Sequence, residues 1–385
     1  MTTGRGTRTR ELDANIIGVM AGKGGVGKTV LSCNLARVVS RSARVALIDL
    51  DLYNRGATAL LMGEPASSGA DSVYSLLERS FGSQNGAGPG SPIDEVNLEQ
   101  VREHAAQVKL HEVDENLFLL PSSPTAKVIK RLEYNLSPLA ASRFLTEICC
   151  ALIQNYNLDC VIFDCKAGPD PLALGVVGMA NETVLISEYN KVTFDGTLNF
   201  YQHIREVYGI AELRTGPLRV VVNKVPEKFD LTKSAALEFL SRRLRPLPLL
   251  ATLPFEYDVF QAFGESRFVV DDLPDSTFAA KIALLAVRLF DRSPVHLSDN
   301  ITALARHSGR GGPRGFRPKR ERVTQFLVLT GAAYALAGLA ILAFGGPEID
   351  MDRFKVLVQD PALGGAALAG IIGLTAVVSG ALVRR

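Results

Sequence analysis

VMAGKGGVGKTVLSCNLARVV, residues 19–39, places four glycines and two lysines between an apolar run and a stretch of helical periodicity. Bare glycine costs chain entropy, so a backbone written this way has something to approach closely. Within it, Gly22-Lys23-Gly24-Gly25-Val26-Gly27-Lys28-Thr29 fits the pattern G-x-x-x-x-G-K-[ST]. The run before it, ANIIGVMA, reads as a buried strand, and GKTVLSCNLARVVS reads as a helix. That is the context in which the pattern cradles phosphate. The glycines let backbone N–H groups curl around phosphate oxygens with no Cβ in the way, and the helix start adds the positive end of its dipole. Lys28 then reaches the β- and γ-phosphates, and the Thr29 hydroxyl ligates Mg²⁺. The stretch predicts nucleotide binding.

Working outward, ARVALIDLD is a second strand, apolar on both faces as a parallel sheet requires. Two parallel strands joined by a helix make a βαβ unit. Residues 116–123, 158–168, 182–188, 218–225 and 248–255 continue the series, with amphipathic helical segments between most of them. The alternation predicts a doubly wound α/β domain with a mostly parallel sheet, over residues 15–295. Residues 1–14 are polar with no apolar core, and we expect a disordered lead there rather than a signal peptide. Residues 81–92, FGSQNGAGPGSP, read as a surface loop, followed by a helix near 96–108.

Of the 385 residues 47% are hydrophobic, and the net charge of +2 is unevenly spread. Residues 306–322 carry +6, residues 345–360 carry −2, Arg384 and Arg385 add +2, and −4 remains for everything before Arg306. A mildly acidic body argues against broad, nonspecific DNA binding by that body. The five cysteines, Cys33, Cys149, Cys150, Cys160 and Cys165, form no CxxC pair and sit in apolar runs, as small buried hydrophobes do. The histidines are scattered and give no metal spacing.

Residues 296–322 read as a basic juxtamembrane linker too poor in apolar side chains to fold alone. Beyond it, residues 323–347 contain no ionisable side chain except Tyr334, and residues 361–383 contain none. Each is long enough for a membrane-spanning helix, here about 323–346 and 361–383. Buried core helices are the alternative, but these seldom lack a polar face for so long. Glycine and alanine, as at Gly331, Gly338, Gly365 and Gly370, suit close helix approach in lipid. The basic flank before the first run and the two arginines after the second predict a transmembrane helical hairpin over 323–385 with both ends cytoplasmic. An anionic-lipid contact at the linker is compatible with the same charges.

The form KGGVGKT resembles the deviant phosphate loop of the MinD/ParA family of P-loop ATPases, and the resemblance extends over residues 15–292. In that family the extra lysine, here Lys23, crosses a dimer interface to the partner's nucleotide. VALIDLDLYNRGAT resembles the family's second motif, which implies that Asp51 positions the attacking water and that Asp49 supports the Mg²⁺ shell. VIFDCKAGPD resembles its Walker B and second switch, with Asp164 as the magnesium carboxylate and Gly168 as the pivot. VVVNKV implies Asn223 as an adenine-reading amide, and LPFEYD a late loop over the base through Pro254. The chain departs from the family at Lys166, where a small residue or proline is usual. It departs also after Asp51, where a proline or glycine is often found, and at the C-terminus.

The resemblance implies a P-loop NTPase fold of the SIMIBI type, ATP and Mg²⁺ as cofactors, and an ATP-dependent homodimer. With the hairpin added, the expectation is a multi-pass protein of the cell inner membrane that binds and hydrolyses ATP. It would act on a protein partner at the membrane, with Lys23, Lys28 and Asp51 as catalytic residues. An ATP-binding scaffold with little turnover is the alternative, and so is a partition-type protein whose basic linker contacts nucleic acid. A tyrosine kinase with a related loop fits less well, since the tail VSGALVRR carries no tyrosines.

Overall fold

The computed structural model describes residues 14–62, 71–81, 93, 95–123, 136–210, 215–226, 234–265, 268–291, 293 and 295–307. Its strands are β1 (Asn15–Met20), β2 (Val45–Asp49), β3 (His111–Asp114), β4 (Leu117–Leu120), β5 (Cys160–Asp164), β6 (Glu182–Glu188), β7 (Leu218–Val225) and β8 (Leu249–Pro254). The helices that cover them are α1 (Lys28–Ser40), α2 (Gly56–Met62), α3 (Val73–Phe81), α4 (Leu98–Ala106), α5 (Pro138–Tyr156), α6 (Pro171–Met179) and α7 (Lys191–Ile210). There follow α8 (Ser234–Arg243), α9 (Tyr257–Glu265), α10 (Val269–Asp272), α11 (Thr277–Phe290) and α12 (Asp299–His307).

The strands form one sheet in the order β3-β4-β2-β5-β1-β6-β7-β8. Every pairing is parallel except that of β3 with β4. The strands of the centre are apolar on both faces because both faces are covered. Alternation along β1 divides the core: Ile16 and Met20 join the cluster beneath α3 to α8, and Ile17 and Val19 join the one beneath α1, α2 and α9 to α12. Phe81, Phe144 and Phe163 are fully buried on the first face. Each such side chain contributes about 1.5–3 kcal/mol relative to exposure.

Local signals fix the helix ends. Ser137 accepts a hydrogen bond from the Ala140 N–H and Pro138 opens α5, which closes at Asn157 in the left-handed conformation, φ 47°. Asp170 caps α6 in the same manner, with Pro171 behind it. The start of α1 is the exception, and it belongs to the site.

Two stretches differ from the sequence reading. β3, HEVD, is an antiparallel edge strand that the apolar search passed over because half its residues face water. The first part of the stretch read as linker contains α12, which buries Ile301 and Ala305 while the Ser298 N–H donates to Ser42 Oγ at 2.9 Å. The cysteines lie as expected, with Cys33, Cys149, Cys160 and Cys165 buried and Cys150 partly so. Among the described residues no helix is long and apolar enough to cross a membrane. The runs 323–347 and 361–383, the lead 1–13, the 82–92 loop and the basic stretch 308–322 lie outside the described residues.

Candidate functional site

β1 lies between β5 and β6; from β1 the chain crosses to β2 on one side and from β5 it crosses to β6 on the other, so a crevice opens at the carboxyl ends of β1 and β5. The loop 21–27 begins there. The buried Val26 side chain pegs it to the core. From β7, Asn223 Nδ2 donates to the Val26 carbonyl at 2.8 Å, and Lys224 Nζ donates to the Gly25 carbonyl at 3.1 Å. Gly27 has φ 98°, and a Cβ on it would lie 2.3 Å from Asn223 Nδ2, so the brace and the glycine require one another. A Cβ on Gly22 would fall 2.4 Å from the Gly196 carbonyl oxygen of α7. Lys23, Gly24 and Gly25 form the exposed crest, and Lys23 makes no ion pair or side-chain hydrogen bond with any described residue.

α1 starts at Lys28 directly behind Gly27, which supplies no side-chain cap. Its first-turn N–H groups therefore face the crevice without the serine or aspartate that closes α5 and α6, and such a helix start draws an anion. Lys28 itself is largely buried at that turn.

Beside it stand two carboxylates. Asp49 and Asp164 end β2 and β5 in register with one another, and both are buried. Asp164 accepts from the Thr29 hydroxyl at 2.7 Å and from Ser32 Oγ at 3.1 Å. Asp49 accepts from the Thr58 N–H and hydroxyl, both at 2.8 Å, and from the Asp51 N–H at 3.0 Å. Burial pushes both above the ordinary carboxylate range, and the Asp164 charge adds to the rise at Asp49. Thr29 and Lys28 hold Asp164 partly down. Two adjoining buried carboxylates with a threonine hydroxyl are hard oxygen donors in want of a cation. Mg²⁺ fits such a set, because it is ordinarily held by one or two carboxylates together with substrate phosphates. The uncapped helix start beside them fits the phosphates. Among the described residues no cluster of three or more His, Cys, Asp or Glu side chains offers an all-protein metal cage.

The turn after β2 carries Asp51, whose two oxygens accept from Asn54, one from its N–H at 3.0 Å and one from Nδ2 at 2.9 Å. A Cβ on Gly56, which opens α2, would fall 2.8 Å from Thr29 Oγ1, so this turn packs on the threonine. The turn after β5 carries Lys166 and Gly168; the Gly168 N–H donates to the Ala21 carbonyl at 2.8 Å.

The sheet thus brings Gly22 to Thr29, Asp49, Asp51, Asp164 and Asn223 to one end. Pro254 lies one strand further out, paired with Val225. Asn223, expected to read adenine, commits a donor to Val26 and its oxygen to the Lys224 N–H at 2.9 Å, which makes it a brace of the loop. Sequence reasoning missed Lys224. No spacing announces it, and its left-handed backbone, φ 56°, appears only in the fold.

Residues 17–267 match the profile of the CobQ/CobB/MinD/ParA nucleotide binding domain. A MinD protein of Mesostigma viride, named for septum-site determination, is 26% identical over 267 residues, 69% of this chain and 79% of the relative. Among solved structures, the ATP complex of a McdA variant from Cyanothece superposes with a TM-score of 0.52 at 16% identity, covering 72% of this chain and 96% of that one. The MinC:MinD cell division complex of Aquifex aeolicus gives 0.50 at 19% identity, covering 73% and 97%. These likenesses carry the fold, and the profile spans well over half of the sequence. The chain belongs to the CobQ/CobB/MinD/ParA nucleotide-binding family.

Proposed function

We propose that this chain is a membrane-anchored, ATP-driven dimeric switch that positions or regulates an assembly at the membrane or cell envelope. One observation carries the reading: the uncapped start of α1, braced by Asn223 and Lys224, lies beside the buried Asp49–Asp164 pair and Thr29. Lys28 and the loop N–H groups would hold the phosphates, and Thr29, Asp164 and Asp49 the cation. When bound, Mg²⁺ and ATP supply the reactive phosphoanhydride and the charge that neutralises it. Asp51 would orient the attacking water. Lys23, exposed on the crest and without a partner among the described residues, would reach the nucleotide of a second copy. The turns 51–58 and 164–171 would rearrange when the terminal phosphate leaves.

Anchoring rests on the two uncharged runs and their flanking charges, which support an ATPase domain and both termini on the cytoplasmic side of the inner membrane. A basic stretch of +6 would also lie against anionic lipid there. The test is a single preparation of the full chain. Fractionation with membranes, resistance to carbonate extraction, and Mg-ATP turnover with ATP-dependent dimerisation are the expected results. Free solubility without detergent would remove the anchor, and absence of ATP binding would remove the site.

A second reading, an ATP-binding scaffold with little turnover, draws on Asp51, whose carboxylate is engaged on both oxygens by Asn54. Measured turnover separates the two.

A further inference from the structure

We propose that Arg55 senses the terminal phosphate: its guanidinium contacts that group when a nucleoside triphosphate occupies the loop of the same chain, and so distinguishes triphosphate from diphosphate. The proposal rests on the nucleotide reading above and gives a role to a residue of the turn after β2 to which the resemblance assigned none.

Three observations converge. Arg55 is partly buried, and its Nε is fully shielded from solvent without a hydrogen-bond partner. No ion pair or side-chain hydrogen bond with a described residue engages its guanidinium, although Asp49, Asp51 and Asp164 belong to the same end of the sheet. Those carboxylates are turned to Thr58, Asn54 and Thr29 instead. A guanidinium Nε shielded from water and given no acceptor among the described residues is an unmet hydrogen-bonding demand.

The backbone is the second observation. Arg55 has φ 53°, a left-handed conformation that a side chain with a Cβ adopts only when its surroundings impose it. Among the described residues only Asn157 and Lys224 share it without being glycine. Asn157 ends a helix, and Lys224 braces the loop. Here the Arg55 N–H donates to the Asp51 carbonyl at 2.8 Å, closing the turn, and the Ala59 N–H donates to the Arg55 carbonyl at 2.7 Å, starting α2.

Position is the third. The neighbouring Gly56 packs on Thr29, with its notional Cβ 2.8 Å from the hydroxyl. The Arg55 Cα is about 3.8 Å further along the chain, and an extended arginine spans roughly 6–7 Å beyond its own Cα. Arg55 thus stands one residue from the Gly56–Thr29 contact, close enough along the chain for its side chain to serve the phosphates that Lys28 and Thr29 would hold. A fork of donors suits a phosphate oxygen pair, and lysine could replace only part of it.

The test uses the full chain in detergent, titrated calorimetrically with Mg-ADP and with a non-hydrolysable Mg-ATP analogue. Arg55→Gly removes the charge while accepting the backbone conformation, and Arg55→Lys returns a charge. We expect Arg55→Gly to bind Mg-ADP within about twofold of the parent and the triphosphate analogue roughly 10- to 100-fold more weakly. Arg55→Lys should recover part of that loss. Retained ADP binding certifies the fold of each variant. Equal affinity of Arg55→Gly and parent for the analogue overturns the proposal, as does an equal loss of both nucleotides. A parent that binds neither nucleotide overturns the nucleotide reading first and this inference with it.

Discussion

The Lys166 ammonium lies 4.5 Å from the centroid of the Tyr53 ring and 3.5 Å from a carboxylate oxygen of Asp170. Lys166 belongs to the turn after β5 and Tyr53 to the turn after β2, so one side chain ties together the two segments expected to move with the nucleotide. Asp170 also caps α6, which extends the tie to a helix start. The departure from the family's pattern at Lys166 therefore has a structural counterpart in the half-exposed Tyr53 opposite it.

That tie should be weak enough to break in each cycle. Cation–π contacts at exposed sites contribute about 0.5–1 kcal/mol. A double-mutant cycle of Lys166→Ala and Tyr53→Ala, read in chemical denaturation of the nucleotide-free protein, should give a coupling of that size. With the Mg-ATP analogue bound, the coupling should shrink if the turns part. An unchanged coupling in both states would mean that the two turns move as one body or not at all.

Asn223 offers a test of the loop's brace. Asn223→Ala removes the bond to Val26 and the acceptor for the Lys224 N–H, and it leaves the loop backbone less constrained. We expect a loss of about 1–3 kcal/mol in nucleotide affinity, spread equally over Mg-ATP and Mg-ADP because the brace acts on the loop and not on the terminal phosphate. Calorimetry on both ligands decides. A loss confined to nucleotides with adenine, with GTP and GDP unaffected, would instead give Asn223 a base-reading role.

The loop, its strand and helix, and Asp164 were legible in the sequence because each lies in a local pattern: glycine spacing, an apolar run, an aspartate at a strand end. Residues whose partners lie far along the chain were not. Asn223 meets Val26 across 197 positions, and neither periodicity nor composition carries such a contact. Lys224 and Arg55 were opaque for a related reason, since left-handed backbone at a non-glycine residue is imposed by packing. β3 escaped because an edge strand half in water shows mixed polarity, and α12 because two buried positions, Ile301 and Ala305, make a narrow apolar stripe.

Lys23 and Lys28 should separate cleanly. Lys28 sits at the first turn of α1, largely buried and beside Asp164, whereas Lys23 is exposed on the crest. Lys28→Ala should abolish Mg-ATP binding, since the phosphates lose their nearest fixed charge. Lys23→Ala should bind Mg-ATP within a few fold of the parent and lose ATP-dependent dimerisation together with most turnover, on the order of 10²-fold or more. Light scattering with ATP and phosphate release give both readouts. Parent-like dimerisation and turnover by Lys23→Ala would remove the role in trans.

Asp51 is held in a way that bears on rate. Its oxygens accept from the Asn54 N–H at 3.0 Å and from Asn54 Nδ2 at 2.9 Å, so both are engaged within its own turn. A carboxylate that orients a water must offer it a lone pair in line with the phosphate. If Asp51 orients the water, the Asn54 side chain competes for one of the lone-pair sites that Asp51 would offer and acts as a brake on hydrolysis. Asn54→Ala keeps the backbone bond and frees the second oxygen, and turnover should rise by roughly three- to tenfold, the worth of about 0.7–1.4 kcal/mol from one partly exposed hydrogen bond. Asp51→Ala should do the reverse. Mg-ATP should still bind and the dimer should persist, because Lys23 and Lys28 are untouched, while phosphate release falls to background. The double variant should match Asp51→Ala, since a brake has no effect on a missing group. Slow turnover in the parent with a clear gain in Asn54→Ala identifies a restrained ATPase awaiting a partner. If Asn54→Ala is as slow as the parent and Asp51→Ala no slower, Asp51 plays no part in hydrolysis and the scaffold reading takes its place.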